Sequence, residues 1–226
     1  MLKNIFEKQD WHFALLALLV VSVNAIMVLY PLSFTGVFWG LSTGTWLWIG
    51  VFTAILHQIY IMLIWRIQLE TRWLTTNLPR LGFIAYLIDY TLMLAARTGA
   101  IILVAAANRE VIFIPDSFRW VGSIILGIVF TWLTYSVTKS SSYKDLAGAV
   151  FFESKDPNHC GIQKNISAVV PGAVYIFGPL SFYIPGLVLA SPASLLLALF
   201  NHIYIWIHYC YTEAPSLKRV YSSNSC

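Results

Sequence analysis

The densest run of side chains able to exchange protons or hold charge lies near the C-terminus, in Asn201-His202-Ile203-Tyr204-Ile205-Trp206-Ile207-His208-Tyr209-Cys210-Tyr211-Thr212-Glu213. On a helix, residues three and four apart share a face, so His202, Trp206, Tyr209 and Glu213 form one stripe and Tyr204, His208 and Tyr211 a neighbouring one. A belt of aromatic residues at a membrane surface accounts for the tyrosines and the tryptophan. It does not account for two histidines and a carboxylate, the groups that serve as general acids and bases.

A second set sits in the apolar stretch from about Leu81 to Ala107. Asp89 and Arg97 are eight residues apart, about 12 Å along a helix at ~1.5 Å per residue, so they cannot pair with each other. Tyr86, Tyr90, Met93 and Arg97 share one face of that helix. Ionisable groups inside an apolar span are costly, and each is a site candidate by default. For Arg97 two readings stand side by side: a partner on another span, or a place in a polar cavity, where it joins His202 and His208 as a candidate catalytic group. His57 and Tyr60 lie on one face of the stretch from about Thr45 to Ile67, where a lone histidine is more often a structural hydrogen-bonding group.

The elements that must position these residues are apolar to an unusual degree. Of 226 residues, 58% are hydrophobic and 11% charged, less than half the roughly 25% charged share of soluble domains. A soluble chain of this size needs more polar surface, and the excess apolar surface is suited to lipid. The apolar runs are long and continuous rather than alternating, which predicts helices, each crossing with ~20 residues. Spans are expected over about Trp11–Leu32, Thr45–Ile67, Leu81–Ala107 and Trp120–Thr138. A polar segment, Lys139 to Ser167, follows. The last apolar block, Ala168 to Tyr211, is too long for one span, and Ala190-Ser191-Pro192 divides it into two coupled helices. The expected fold is therefore all-α: a polytopic membrane bundle of about six transmembrane helices ending in a helical hairpin. It divides into a four-span region (1–138), a cytoplasmic connecting segment (139–167) and a C-terminal hairpin and tail (168–226). Lys3 and Lys8 precede the first apolar stretch, but that stretch is longer than a signal-peptide core and lacks a clear cleavage site.

The net charge of +4 comes from Lys and Arg in the connecting segments. With the N-terminus inside, eleven of the fourteen basic residues fall on the inner side and only Arg109 and Arg119 on the outer. That bias predicts cytoplasmic N- and C-termini, in a bacterial inner membrane or the endoplasmic reticulum, and explains the basic residues without nucleic acid. Cys160, Cys210 and Cys226 are odd in number and far apart, with no metal-ligand spacing, so neither a disulfide framework nor a metal site is expected.

The fifth expected helix contains Pro171-Gly172-Ala173-Val174-Tyr175-Ile176-Phe177-Gly178-Pro179 and then Tyr183-Ile184-Pro185-Gly186. Repeated Pro and Gly predict a bent helix with freed backbone groups. From Pro171 to Tyr221 the chain resembles the C-terminal catalytic region of the isoprenylcysteine carboxyl methyltransferase and phospholipid methyltransferase superfamily. Tyr175-Ile176-Phe177-Gly178 is similar to the Tyr-x-Gly part of its motif, with one extra residue before Gly178. Gly186 to Pro192 matches the hairpin turn, and Glu213-Ala214-Pro215 followed by Tyr221 resembles the family's glutamate-bearing tail. Val169 and Val170 stand where the family has an Arg-His pair, which leaves His159, or His202 and His208, as the histidines available in its place.

The resemblance implies an S-adenosylmethionine-dependent methyltransferase, with the cofactor entering from the cytoplasm and a lipid or lipophilic acceptor from the bilayer. It implies that Tyr175, Gly178, Trp206, Tyr209 and Glu213 bind the cofactor, the aromatic faces attracting its sulfonium within about 6 Å and Glu213 taking its amino or ribose groups. It leaves His202 or His208 as base where the acceptor needs one. Two other classes remain open: a sterol-type reductase or haem-binding isomerase, suggested by His57, His202 and His208, and a non-catalytic membrane protein of the same fold, suggested by the missing Arg-His pair.

Overall fold

The structure is a computed structural model, and it describes residues 9–79, 81–140, 143–152 and 173–222. The described chain is an all-α bundle with one small hairpin. Helix α1 spans Asp10–Leu29 and stops before Pro31, which opens a 3₁₀ turn, Pro31–Phe34. A two-stranded antiparallel hairpin follows, with Val37 opposite Ser42 and Phe38 opposite Leu41. Its turn residues, Trp39 and Gly40, both have positive φ (49° and 77°), the backbone that a two-residue hairpin loop demands. Ser42 then caps α2 (Thr43–Thr71) by accepting from the Thr45 N–H at 3.2 Å.

Arg72, left-handed at φ 55°, ends α2 and leads through α3 (Trp73–Asn77) to α4 (Gly82–Ala107). Helices α2 and α4 make the most extensive pairing in the bundle. Helix α5 (Asp116–Ser140) lies to one side, and a short α6 (Tyr143–Leu146) leads to a 3₁₀ turn at Ala149–Phe151. The sequence treats this stretch as polar connecting chain. In the structure Ala147, Phe151 and Phe152 are core residues packed on Trp65 and Tyr86. Gly148 allows this: its φ is +87°, and a Cβ there would come within 2.6 Å of the Trp65 ring. A few apolar side chains inside a mostly polar segment thus anchor it to the bundle.

The expected fifth helix is broken into three pieces: α7 (Ala173–Phe177), a 3₁₀ turn (Gly178–Phe182) and α8 (Tyr183–Val188). Pro179 and Pro185, which cannot donate backbone hydrogen bonds, lie within this break. The longest apolar helical stretch here, Val174–Val188, falls short of the ~30 Å hydrocarbon layer at ~1.5 Å per residue. Among the described residues five helices are long and apolar enough to cross a membrane: Asp10–Leu29, Thr43–Thr71, Gly82–Ala107, Asp116–Lys139 and Pro192–Arg219.

The last of these begins as α9 (Pro192–His208), capped by the Ser191 side chain, which accepts from the Ser194 N–H. It passes through one π turn (Tyr209–Glu213) into α10 (Ala214–Ser222). Helix α9 packs against α1, α2, α4 and α8, so it is the central strut. One apolar core gathers around it, including Leu47, Val51, Ile101, Leu197 and Phe200. The outward faces of α1 and α5 carry exposed Leu18, Val21, Val28, Val121, Ile124, Ile128 and Trp132. So many exposed apolar side chains on each helix are more than an ordinary water-facing exterior carries.

Candidate functional site

The π turn is the local feature that shapes the C-terminal site. Pro215 has no N–H to return to the Tyr211 carbonyl, and its ring would crowd that carbonyl in a regular helix. The helix widens instead: the Ala214 N–H bonds to the Tyr209 carbonyl, five residues back. The freed Tyr211 carbonyl accepts from Gln9 Nε2 at 2.7 Å. Gln9 Oε1 in turn accepts from His12 Nδ1 at 2.9 Å and from the Thr212 hydroxyl at 3.1 Å. The start of α1 is thereby tied to the widened turn.

Around that turn the structure brings together most of the residues named for cofactor binding. The Tyr175 and Tyr209 rings stack with centroids 4.3 Å apart, and Trp206 meets Tyr209 edge-on at 6.0 Å. The Tyr175 hydroxyl lies within electrostatic reach of the Glu213 carboxylate. Tyr86 and Tyr90 lie within electrostatic reach of the same carboxylate. The result is a carboxylate set among tyrosine faces, with Tyr175, Trp206, Tyr209 and Glu213 only partly buried. Gly178 is not part of it: it opens the 3₁₀ turn, faces Leu133 on α5 and gives its carbonyl to the Ser181 hydroxyl.

The three candidate catalytic residues separate into two places. His202 is partly buried, on the Trp206 side of α9, with Nδ1 3.4 Å from the Tyr183 hydroxyl. His208 faces the other way, into the bundle, with its ring 6.0 Å from both His12 and Trp65. Arg97 is buried at 1% exposure. Its Nε donates to Asn201 Oδ1, its Nη2 to the Asn201 carbonyl at 3.3 Å, and its Nη1 to His57 Nδ1 at 3.4 Å. The Phe182 ring lies 5.4 Å from the guanidinium carbon. Among the described residues no carboxylate forms a salt bridge with Arg97. Asp89 is held elsewhere, accepting from the Tyr60 hydroxyl at 3.0 Å.

Several contributors escaped sequence reasoning. His12 is an ionisable group inside the first apolar stretch, and the test applied to Arg97 would have found it. Gln9, Thr212 and Asn201 carry no signal beyond being polar, and only the packing shows what they hold. Tyr86 proves structural as well as neighbourly: its hydroxyl accepts from Trp65 Nε1 at 2.9 Å and donates to the Ala147 carbonyl at 2.7 Å. Positions 169–172, which the resemblance sets before Tyr175, and His159 lie outside the described residues. Among the described residues no group of three or more His, Cys, Asp and Glu is placed to hold a metal ion. No protein-family model, curated protein or solved structure matches the chain.

Proposed function

We propose that this chain is an integral membrane methyltransferase that uses S-adenosylmethionine to methylate a lipid or lipophilic acceptor. The observation that carries the reading is the meeting of Tyr175, Tyr209 and Glu213 at the π turn. These residues come from two separate segments, both within the stretch that resembles the isoprenylcysteine carboxyl and phospholipid methyltransferases. The proposed topology has about six membrane-embedded helical segments, the broken α7–α8 segment among them, with both termini cytoplasmic. The basic-residue bias supports it.

The residues present fit such a cofactor by their chemistry. Tyrosine faces attract an organic cation, and a carboxylate adds opposite charge or accepts from ammonium and hydroxyl groups. When bound, S-adenosylmethionine supplies a methyl group activated by the adjacent positive sulfur. The chain's own part is to hold and orient. Tyr175, stacked on Tyr209 and within electrostatic reach of Glu213, gives the carboxylate an aromatic surround. Trp206 closes one side of the cluster. His202 lies on the Trp206 side of the helix and is the base available to an acceptor that must lose a proton. Alignment and exclusion of water supply most of the acceleration for an in-line displacement.

The test is calorimetric titration of the detergent-purified protein with S-adenosylmethionine, alongside Glu213→Gln. Saturable binding by the wild type, weakened tenfold or more in the variant, is the expected result. Equal binding by both would remove Glu213 from the site. No binding by either would leave the non-catalytic reading standing.

A further inference from the structure

The interior where α1, α2, α4 and α9 meet holds more hydrogen-bonding capacity than the protein uses. His57 Nε2, both ring nitrogens of His208, His12 Nε2 and the Tyr204 hydroxyl are buried without a hydrogen-bond partner. His12 and Tyr204 are 0% exposed, His57 2% and His208 3%. The rings are neighbours, His12 standing 5.7 Å from Tyr204 and 6.0 Å from His208. Tyr204, His57 and His208 all lie within electrostatic reach of Arg97. Buried polar atoms are paired in the great majority of native structures, and a cluster of unpaired ones requires an explanation.

The protons can be placed. A guanidinium only donates, so His57 Nδ1 must be the acceptor of the Arg97 bond and the His57 proton must sit on Nε2. That N–H points to no acceptor. Three of the guanidinium's hydrogens are used by Asn201 and His57, which leaves two without an acceptor among the described residues. The Tyr204 hydroxyl and one nitrogen of a neutral His208 are donors in the same condition. On the other side, His12 Nδ1 must donate, because Gln9 Nε2 is committed to Tyr211 and presents Oε1 to the ring. His12 Nε2 is therefore a lone pair. Unused donors outnumber unused lone pairs, and they surround a buried positive charge that, among the described residues, no carboxylate neutralises. Leaving such a charge unpaired costs several kcal/mol.

We propose that this cluster of buried donors binds an oxyanion, a carboxylate or phosphate-type group, held by the free edge of Arg97 together with His57 Nε2–H and the Tyr204 hydroxyl. The site adjoins the tyrosine–glutamate cluster at Tyr90, whose ring lies 5.2 Å from that of His57 and which is within electrostatic reach of both Arg97 and Glu213, but its donors are its own and the proposal does not rest on the methyl-transfer reading. A carboxylate or phosphate oxygen satisfies several donors at once and supplies the missing negative charge.

The experiment measures thermal unfolding of the full chain in detergent, titrated with butyrate and, separately, inorganic phosphate, against chloride at matched ionic strength. Wild type, Tyr204→Phe, Arg97→Gln and Glu213→Gln are compared. The expected result is saturable stabilisation by at least one anion, unchanged in Glu213→Gln and weakened fivefold or more in Tyr204→Phe. Stabilisation by butyrate alone identifies an organic carboxylate, and by phosphate alone a compact inorganic or phosphoryl group. Tyr204→Phe keeps the test valid where Arg97→Gln fails to fold, since the hydroxyl it removes has no partner to lose. Stabilisation no greater than with chloride, or equal in wild type and Tyr204→Phe, would overturn the proposal.

Discussion

Two buried polar regions lie along the same helix α9, and they solve the cost of burial in opposite ways. At its N-terminus, Asn108 is completely used. Its Nδ2 donates to the Ser33 and Thr35 carbonyls at 3.1 and 2.8 Å. Its Oδ1 accepts from the Ser191 hydroxyl at 3.0 Å and the Ala193 N–H at 2.9 Å. Thr43 donates its hydroxyl among the carbonyls of Thr35, Gly36 and Ala107. Gly36 permits the approach, since a Cβ there would stand 2.0 Å from the Ala107 oxygen. Further along α9, the Arg97 cluster has donors left over. Saturated side chains that join loops to helix ends make a structural clasp, whereas buried donors without acceptors suit a ligand. Polarity and burial are common to both regions, and satisfaction is what separates them.

That contrast breaks or sharpens through variants. Asn108→Ala removes a hydrogen bond from four partners at once, of which the Thr35 carbonyl keeps its bond from Thr43, and an unsatisfied buried group costs about 1–3 kcal/mol. The expected loss is about 3 kcal/mol or more, read as a large fall in Tm or failure to purify as a monodisperse protein. A loss under about 1 kcal/mol would mean that the corner is not the clasp described. Thr212→Val removes the hydroxyl that the chain from α1 to the π turn uses, with little change of volume. About 1–2 kcal/mol of stability is expected to go with it, together with weaker S-adenosylmethionine binding as the turn carrying Glu213 loosens. Unchanged affinity would separate the turn from the site. Ser42→Ala deletes a helix cap at the clasp end, for about 1 kcal/mol by thermal unfolding. Tyr204→Phe is the smallest expected change in the absence of ligand: removal of an unpartnered hydroxyl leaves Tm equal or slightly raised. A clear destabilisation there would reveal a partner for the hydroxyl and place the cluster with the clasp.

Much of the candidate site was legible in advance because it follows from short-range rules. The spacing of Trp206, Tyr209 and Glu213 on a helix puts them together wherever that helix goes. Tyr175 was reached only through the resemblance, since no spacing rule links positions 175 and 213. Gly178 shows the limit: one residue beyond the motif's spacing, it begins a 3₁₀ turn against Leu133 and leaves the cluster. The Arg97 cluster was half visible. Its cation stood out by cost alone, but the identity of its partners depended on which helices pack against α4. His12 sits in the first apolar stretch, whose composition by itself points to a span, and its partners Gln9 and Thr212 appear only in the packing.

The sequence by itself determined that the chain is helical, that its helices are apolar enough to cross a membrane, and that charge and aromatic residues concentrate near the end of the last one. These are properties of local composition and period, which do not depend on what packs where. Tertiary structure alone decided that Phe151 and Phe152 enter the core, and that Gln9 reaches the carbonyl freed at the π turn. It alone decided that Asn108 is saturated while His57, Tyr204 and His208 are not. Hydrogen-bond satisfaction belongs to pairs of groups far apart in the chain, so it exists only once the helices have met.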